Sequence, residues 1–158
     1  MIPLVPVDKT EAQLLEVNER PAGPPPGGGN GGGETPLAVA VNGIRLDQSA
    51  PTAAILGAYT LAPFDDCGGH VNLHVGYHYH AATKCLTDIG AQNTHATLIG
   101  VALDGYPVLA HNLTDGTLPD GLDEYYGHVT EGSGYHYHAG DEGSNKILGG
   151  LKGQTASN

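Results

Sequence analysis

Six of the nine histidines in this chain fall in two copies of one pattern. The first runs Gly69-His70-Val71, four residues, then Gly76-Tyr77-His78-Tyr79-His80-Ala81. The second runs Gly127-His128-Val129, four residues, then Gly134-Tyr135-His136-Tyr137-His138-Ala139, at a constant offset of 58 residues without a gap. Alternate side chains of a β-strand share a face, so His78 and His80 point one way and Tyr77 and Tyr79 the other. If residues 72–75 turn, a hairpin sets His70 opposite His78. The second copy likewise joins His128 to His136 and His138. Three neutral imidazoles beside an open position form a donor set for a metal ion. Nitrogen donors without thiolate favour Cu(II) or Zn(II) over Ca or Mg, with intrinsic affinity on the side of Cu(II).

Acidic pairs precede both copies, Asp65-Asp66 and Asp123-Glu124. They are candidates for a fourth ligand, or for the acceptor that fixes an imidazole tautomer. With Asp120 they also make a weaker case for Ca. The six histidines form either two mononuclear sites or one dinuclear centre. Binding to neutral imidazole predicts an affinity that falls below about pH 6.5. The plainer alternative is that the four tyrosines pack a core and the histidines bond to carboxylates. Packing is the expected role of the tyrosines. His74, His95 and His111 read as surface residues, although His74, which Gly132 replaces in the second copy, is an extra donor available to the first copy alone.

The elements that must position these residues are strands. Leu37 to Val41, Asn42-Gly43 and Ile44 to Leu46 read as a hairpin with a type I′ turn, which needs positive φ at both central residues. Leu98 to Leu103, Asp104-Gly105 and Tyr106 to Leu109 repeat the device, and Pro107 suggests that the returning strand lies at a sheet edge. Short helices are predicted at most over residues 83–92 and 118–125. The fold expected is mainly β: a compact antiparallel domain of two halves, about residues 37–90 and 98–148, related by an approximate two-fold. It follows an N-terminal arm (residues 1–20) with a possible helical turn over residues 9–18, and a Pro/Gly-rich linker (residues 21–34), so that the domain spans residues 35–158.

Composition narrows the partners. There are 17 acidic residues against six Lys and Arg, for a formal net charge of −11 with histidine neutral. That balance argues against nucleic acid and against insertion into a membrane, for which no apolar run is long enough. Cations are the natural partners. The opening MIPLVPV does not read as a secretory signal. Scarce lysine and the pair Cys67 and Cys85 favour an extracellular or periplasmic location. A disulfide between them would close a short loop, with two buried thiols as the alternative. Asn112-Leu113-Thr114 is a possible glycosylation acceptor.

Taken together, Asp66-Cys67-Gly68-Gly69-His70, the two YHYH tetrapeptides, Cys85 and Leu98-Ile-Gly-Val-Ala-Leu-Asp-Gly-Tyr-Pro-Val108 resemble the YHYH-domain family over about residues 37–148. The resemblance implies an exported protein and supplies no reaction. Tyr125 stands where the family's second half often has a cysteine, so one disulfide is expected. Leu109-Ala110-His111 replaces a usual Tyr-Gly ending. The leading functional expectation is an extracytoplasmic metal-binding module. One alternative is a structural subunit of an extracellular oligomer or filament, assembled by strand addition of residues 1–20 onto the edge at Pro107. The other is a metal-dependent oxidase or hydrolase with Asp66 or Asp123 as base.

Overall fold

Two short polar turns set the middle of the sheet. The computed structural model describes residues 2, 5–9, 36–50, 64–72 and 75–155. Strand β1 (Pro36–Ala40) returns as β2 (Arg45–Asp47), and β5 (Leu98–Ala102) returns as β6 (Pro107–Leu109). The histidine motifs form the other two hairpins, β3 (Gly69–Asn72) with β4 (Gly76–Tyr79), and β7 (Gly127–Thr130) with β8 (Gly134–His138).

All eight strands join one sheet in the order β3-β4-β2-β1-β5-β6-β8-β7. The succession is the same from either edge, as an approximate two-fold between the halves would produce. At its centre β1 and β5 pair antiparallel, Val39 opposite Val101. The fold is mainly β, as expected, but the sheet is mixed rather than antiparallel throughout. β2 runs parallel to β4 at Leu46↔Tyr79, and β6 runs parallel to β8 at Val108↔Tyr137 and Leu109↔His138.

The turns also differ from expectation. Gly43 N–H donates to Ala40 O at 2.8 Å and Ala40 N–H to Ile44 O at 2.8 Å. Gly43 has φ 82° and Gly105 φ 93°, whereas neither Asn42 nor Asp104 has a positive φ, so neither turn is type I′. Their polar residues have another use. Asn42 Nδ2 donates to the Tyr79 hydroxyl at 3.1 Å, and Asp104 Oδ2 accepts from the Tyr137 hydroxyl at 2.5 Å. Each turn therefore holds the second tyrosine of its own half's YHYH.

Pro107 does not mark an edge. It opens β6, which lies between β5 and β8, and the parallel ladder to β8 begins one residue later at Val108, where an N–H is present. The strands at the two ends of the sheet order are β3 and β7.

One short helix, α1 (Lys84–Ile89), is capped by Thr83, whose side chain accepts from Cys85 N–H at 3.3 Å. It buries Leu86 completely. Residues 118–125 are not helical: Pro119 and Gly121 (φ 65°) interrupt them, and Asp123 Oδ1 takes the amide protons of Tyr125 and Gly127. In the core, Tyr79 and Tyr137 join Leu46, Leu86, Ile99, Val108, Ile147 and Leu148, supplying the bulk that a chain without tryptophan otherwise lacks.

Cys67 and Cys85 form a disulfide across 18 residues, tying the turn before β3 to α1. Cutting it with Cys67→Ser plus Cys85→Ser is expected to cost about 3 kcal/mol on loop entropy, measured as a fall in the urea midpoint. An unchanged midpoint would show that the cross-link stabilises nothing.

Most of the arm, including the helical turn expected after Lys9, and the linker at 21–34 lie outside the described residues. The part described pairs with its own chain. Asp8 bridges Gly153, Gln154 N–H donates to Val7 O at 2.6 Å, and Lys9 N–H donates to Lys152 O at 2.9 Å. The Tyr106 hydroxyl donates to Asp8 Oδ1 at 2.7 Å. Among the described residues no helix is long and apolar enough to cross a membrane.

Candidate metal centres

Strand register brings the histidines together. His70 lies opposite His78 and His128 opposite His136. The glycine before each first histidine makes this possible. A Cβ at Gly69 would overlap the Tyr77 hydroxyl, and one at Gly127 the Tyr135 hydroxyl. Each tyrosine thus lies across the facing strand and donates to an aspartate, Tyr77 to Asp65 Oδ2 at 2.5 Å and Tyr135 to Asp123 Oδ2 at 2.8 Å.

This use corrects the expectation for the acidic pairs. Asp65 Oδ1 accepts from Cys67 and Gly69 N–H, both at 3.0 Å, and Asp123 Oδ1 from Tyr125 and Gly127 N–H at 2.9 and 3.0 Å. Both oxygens of each aspartate are engaged in turn and tyrosine bonds, and neither reaches an imidazole. Asp66 and Glu124 are exposed and belong to neither histidine cluster. Burial, then the carboxylate bond, pushes the Tyr77 and Tyr135 hydroxyls well above the usual tyrosine range.

Backbone carbonyls perform the task assigned to the acids. His78 Nδ1 donates to Gly76 O at 2.9 Å and His80 Nδ1 to Gln48 O at 2.5 Å. In the second hairpin His128, His136 and His138 donate to Asp120 O, Gly134 O and Ala110 O at 2.9, 3.0 and 2.8 Å. A carbonyl can only accept, so each Nδ1 carries the proton and, in the neutral ring, each Nε2 presents a bare lone pair.

The ring nitrogens of each hairpin converge. In the first cluster the three Nε2 atoms of His70, His78 and His80 are separated by 2.8, 3.1 and 3.2 Å. An ion 2.0–2.1 Å from each would stand about 1 Å out of their plane, the low pyramid of a three-imidazole site with one position left over.

The second cluster has a member that the repeat does not reveal. His95 Nε2 lies 3.2 Å from His128 Nε2 and 3.1 Å from His138 Nε2, and the ligand atoms of His95, His128, His136 and His138 all lie within 4.8 Å of one another. His95 is half-buried, not the surface residue expected. It stands on the loop before β5, held by Thr114 N–H to His95 O at 3.0 Å and by Thr114 Oγ1 to Thr94 O at 3.0 Å. His136 Nε2 is buried with no hydrogen-bond partner, an atom whose lone pair an ion would satisfy. Four strands separate β4 from β8, so among the described residues the histidines gather in two separate clusters and do not converge on one.

His74 lies outside the described residues. His111 is half-buried and donates to Ala139 O at 2.9 Å, away from both clusters. Asn112 is exposed. Among the described residues both convergent ligand groups are all-imidazole, so no carboxylate cluster supports Ca.

A family model described as YHYH protein matches residues 29–120, more than half of the chain. The chain belongs to the YHYH family. The YHYH match takes in the disulfide, the first cluster and His95, and it ends before the second GYHYHA. No curated protein and no solved structure matches the chain.

Burial, then the neighbouring imidazoles, push His138 down to about 4 against an ordinary 6.5, only partly offset by its bond to Ala110 O, and burial also lowers His136. The metal-free folded state therefore holds fewer protons than the unfolded chain between these values. Its stability is complete above pH 6.5 and falls as pH drops toward 4, by up to about 3 kcal/mol for His138. Urea unfolding of metal-free protein at pH 7.5 and about pH 4.5 checks this, with His138→Gln expected to flatten the dependence.

Proposed function

We propose that this protein is an extracytoplasmic metal-binding module that holds one Cu or Zn ion in each histidine hairpin. The observation that carries the reading is convergence: the ligand atoms of His70, His78 and His80, and those of His95, His128, His136 and His138, lie within 4.8 Å of one another, and the rings whose Nδ1 donates to a carbonyl turn Nε2 toward the group. Nitrogen-only donors suit Cu(II) and Zn(II), and a formal net charge of −11 draws cations toward the surface. The disulfide fits an oxidising compartment.

A metalloenzyme is the second reading. It is favoured by a shallow depression of about 490 Å³ beside the second cluster, where Asp123 stands near His95 and His128. Assembly into a filament through residues 1–20 gains less, since Val7 to Lys9 pair with residues 152–154 of the same chain.

The test is elemental analysis of untagged protein purified without chelator. Two ions per chain are expected at neutral pH, with retention failing as pH falls through the imidazole range. Protein that carries neither Cu nor Zn and takes up neither on dialysis would end the proposal.

A further inference from the structure

The two clusters are not copies of one another in access. In the first, His70, His78 and His80 are 8%, 0% and 1% exposed. Phe64, the sole phenylalanine of the chain, lies against two of those rings. It stacks on His70 with centroids 5.0 Å apart at 23°, and meets His80 edge-on at 5.7 Å and 90°. Its own ring is 42% exposed, so one part of it packs on the cluster while another faces solvent. In the second cluster His136 and His138 are just as deeply buried, but His95 and His128 are only half-buried. Both line the open depression, together with Asp120, Asp123 and Lys152. A fourth imidazole adds a donor there, and it comes from a loop rather than from the rigid hairpin.

From this difference we infer that the hairpins form a slow and a fast metal site. The second centre exchanges its ion through the depression, with His95 as the ligand that lets go first. The first centre, with Phe64 packed on His70 and His80, exchanges its ion more slowly, and movement of that ring speeds it. A bound ion leaves a multi-imidazole site by losing ligands one at a time to water or to a competing chelator, so exposure of the first ligand to detach governs the rate. His95 and His128 offer such a ligand to solvent. In the first hairpin, the Phe64 ring keeps a competitor from His70 and His80.

This inference rests on the metal-binding reading, and one experiment separates the two. The full chain, loaded with two equivalents of Zn(II), is mixed in stopped flow with excess chromogenic chelator. Two phases of equal amplitude are expected, with rates at least roughly tenfold apart. Phe64→Ala should quicken the slow phase toward the fast one while two ions remain bound at the start. His95→Ala should change the fast phase alone, and His128→Ala should remove it. Zinc that is never retained sinks the metal-binding reading. Two retained ions released in a single phase, or a slow phase indifferent to Phe64→Ala, overturn the slow and fast assignment while leaving metal binding intact.

Discussion

Zn(II) or Cu(II) added to the metal-free protein is expected to raise its unfolding free energy by about 4 kcal/mol per centre once the free ion reaches a thousand times Kd. The size follows from where the donors sit. His78, His80, His136 and His138 are at most 1% exposed, and their Nε2 atoms come together only in the folded hairpins, so an unfolded chain offers no comparable site. His78→Ala is expected to remove about half of the increment, and His78→Ala with His136→Ala to remove nearly all of it. Each variant must be compared with and without metal, because truncating a buried ring lowers the metal-free baseline as well. Denaturant curves that coincide with and without either ion would leave the clusters as structural packing.

Asp104→Ala is expected to cost roughly 3–5 kcal/mol, in metal-free and loaded protein alike. Asp104 is fully buried, and its Oδ2 accepts both the Tyr137 hydroxyl and, at 2.8 Å, the Gly153 N–H, while the Tyr137 hydroxyl in turn accepts from Lys152 N–H at 2.7 Å. Removing the carboxylate strands these donors and frees the C-terminal segment against which Val7 to Lys9 pair. Hydrogen exchange should show the Lys152 and Gly153 amides losing protection first. Retained protection there, with an unmoved urea midpoint, would refute the role. Asn42, at the matching turn, is exposed and bonds to the Tyr79 hydroxyl and the Ile44 N–H, so Asn42→Ala is the milder counterpart.

What the sequence made legible was local. Alternation in Tyr77 to His80 and in Tyr135 to His138 sets the imidazoles on one face, and the four-residue spacer sets the register that opposes His70 to His78. Both follow from strand geometry alone. The Asn-Gly and Asp-Gly hairpins were equally visible, although the use of their polar residues was not, because Tyr79 and Tyr137 approach those turns only through the parallel β2/β4 and β6/β8 junctions. The same non-local pairing places Pro107 inside the sheet. His95 has no counterpart in the first repeat and reaches His128 across 33 positions, so no spacing rule could find it. Asp65 and Asp123 looked like ligands because carboxylates beside histidines often are. Their oxygens were instead claimed by the nearest amide and phenol donors.

The carbonyl-pinned rings also decide how uptake would register in a calorimeter. The Nδ1 protons of His78, His80, His136 and His138 are donated to Gly76, Gln48, Gly134 and Ala110 oxygens, and His138, its basicity depressed to about 4, carries no proton on Nε2 near neutrality. An arriving ion has no proton to displace from His138. The difference between the heats of loading in phosphate and in Tris at pH 7.5, buffers whose ionisation enthalpies differ widely, should therefore be no smaller in His138→Gln than in the parent chain.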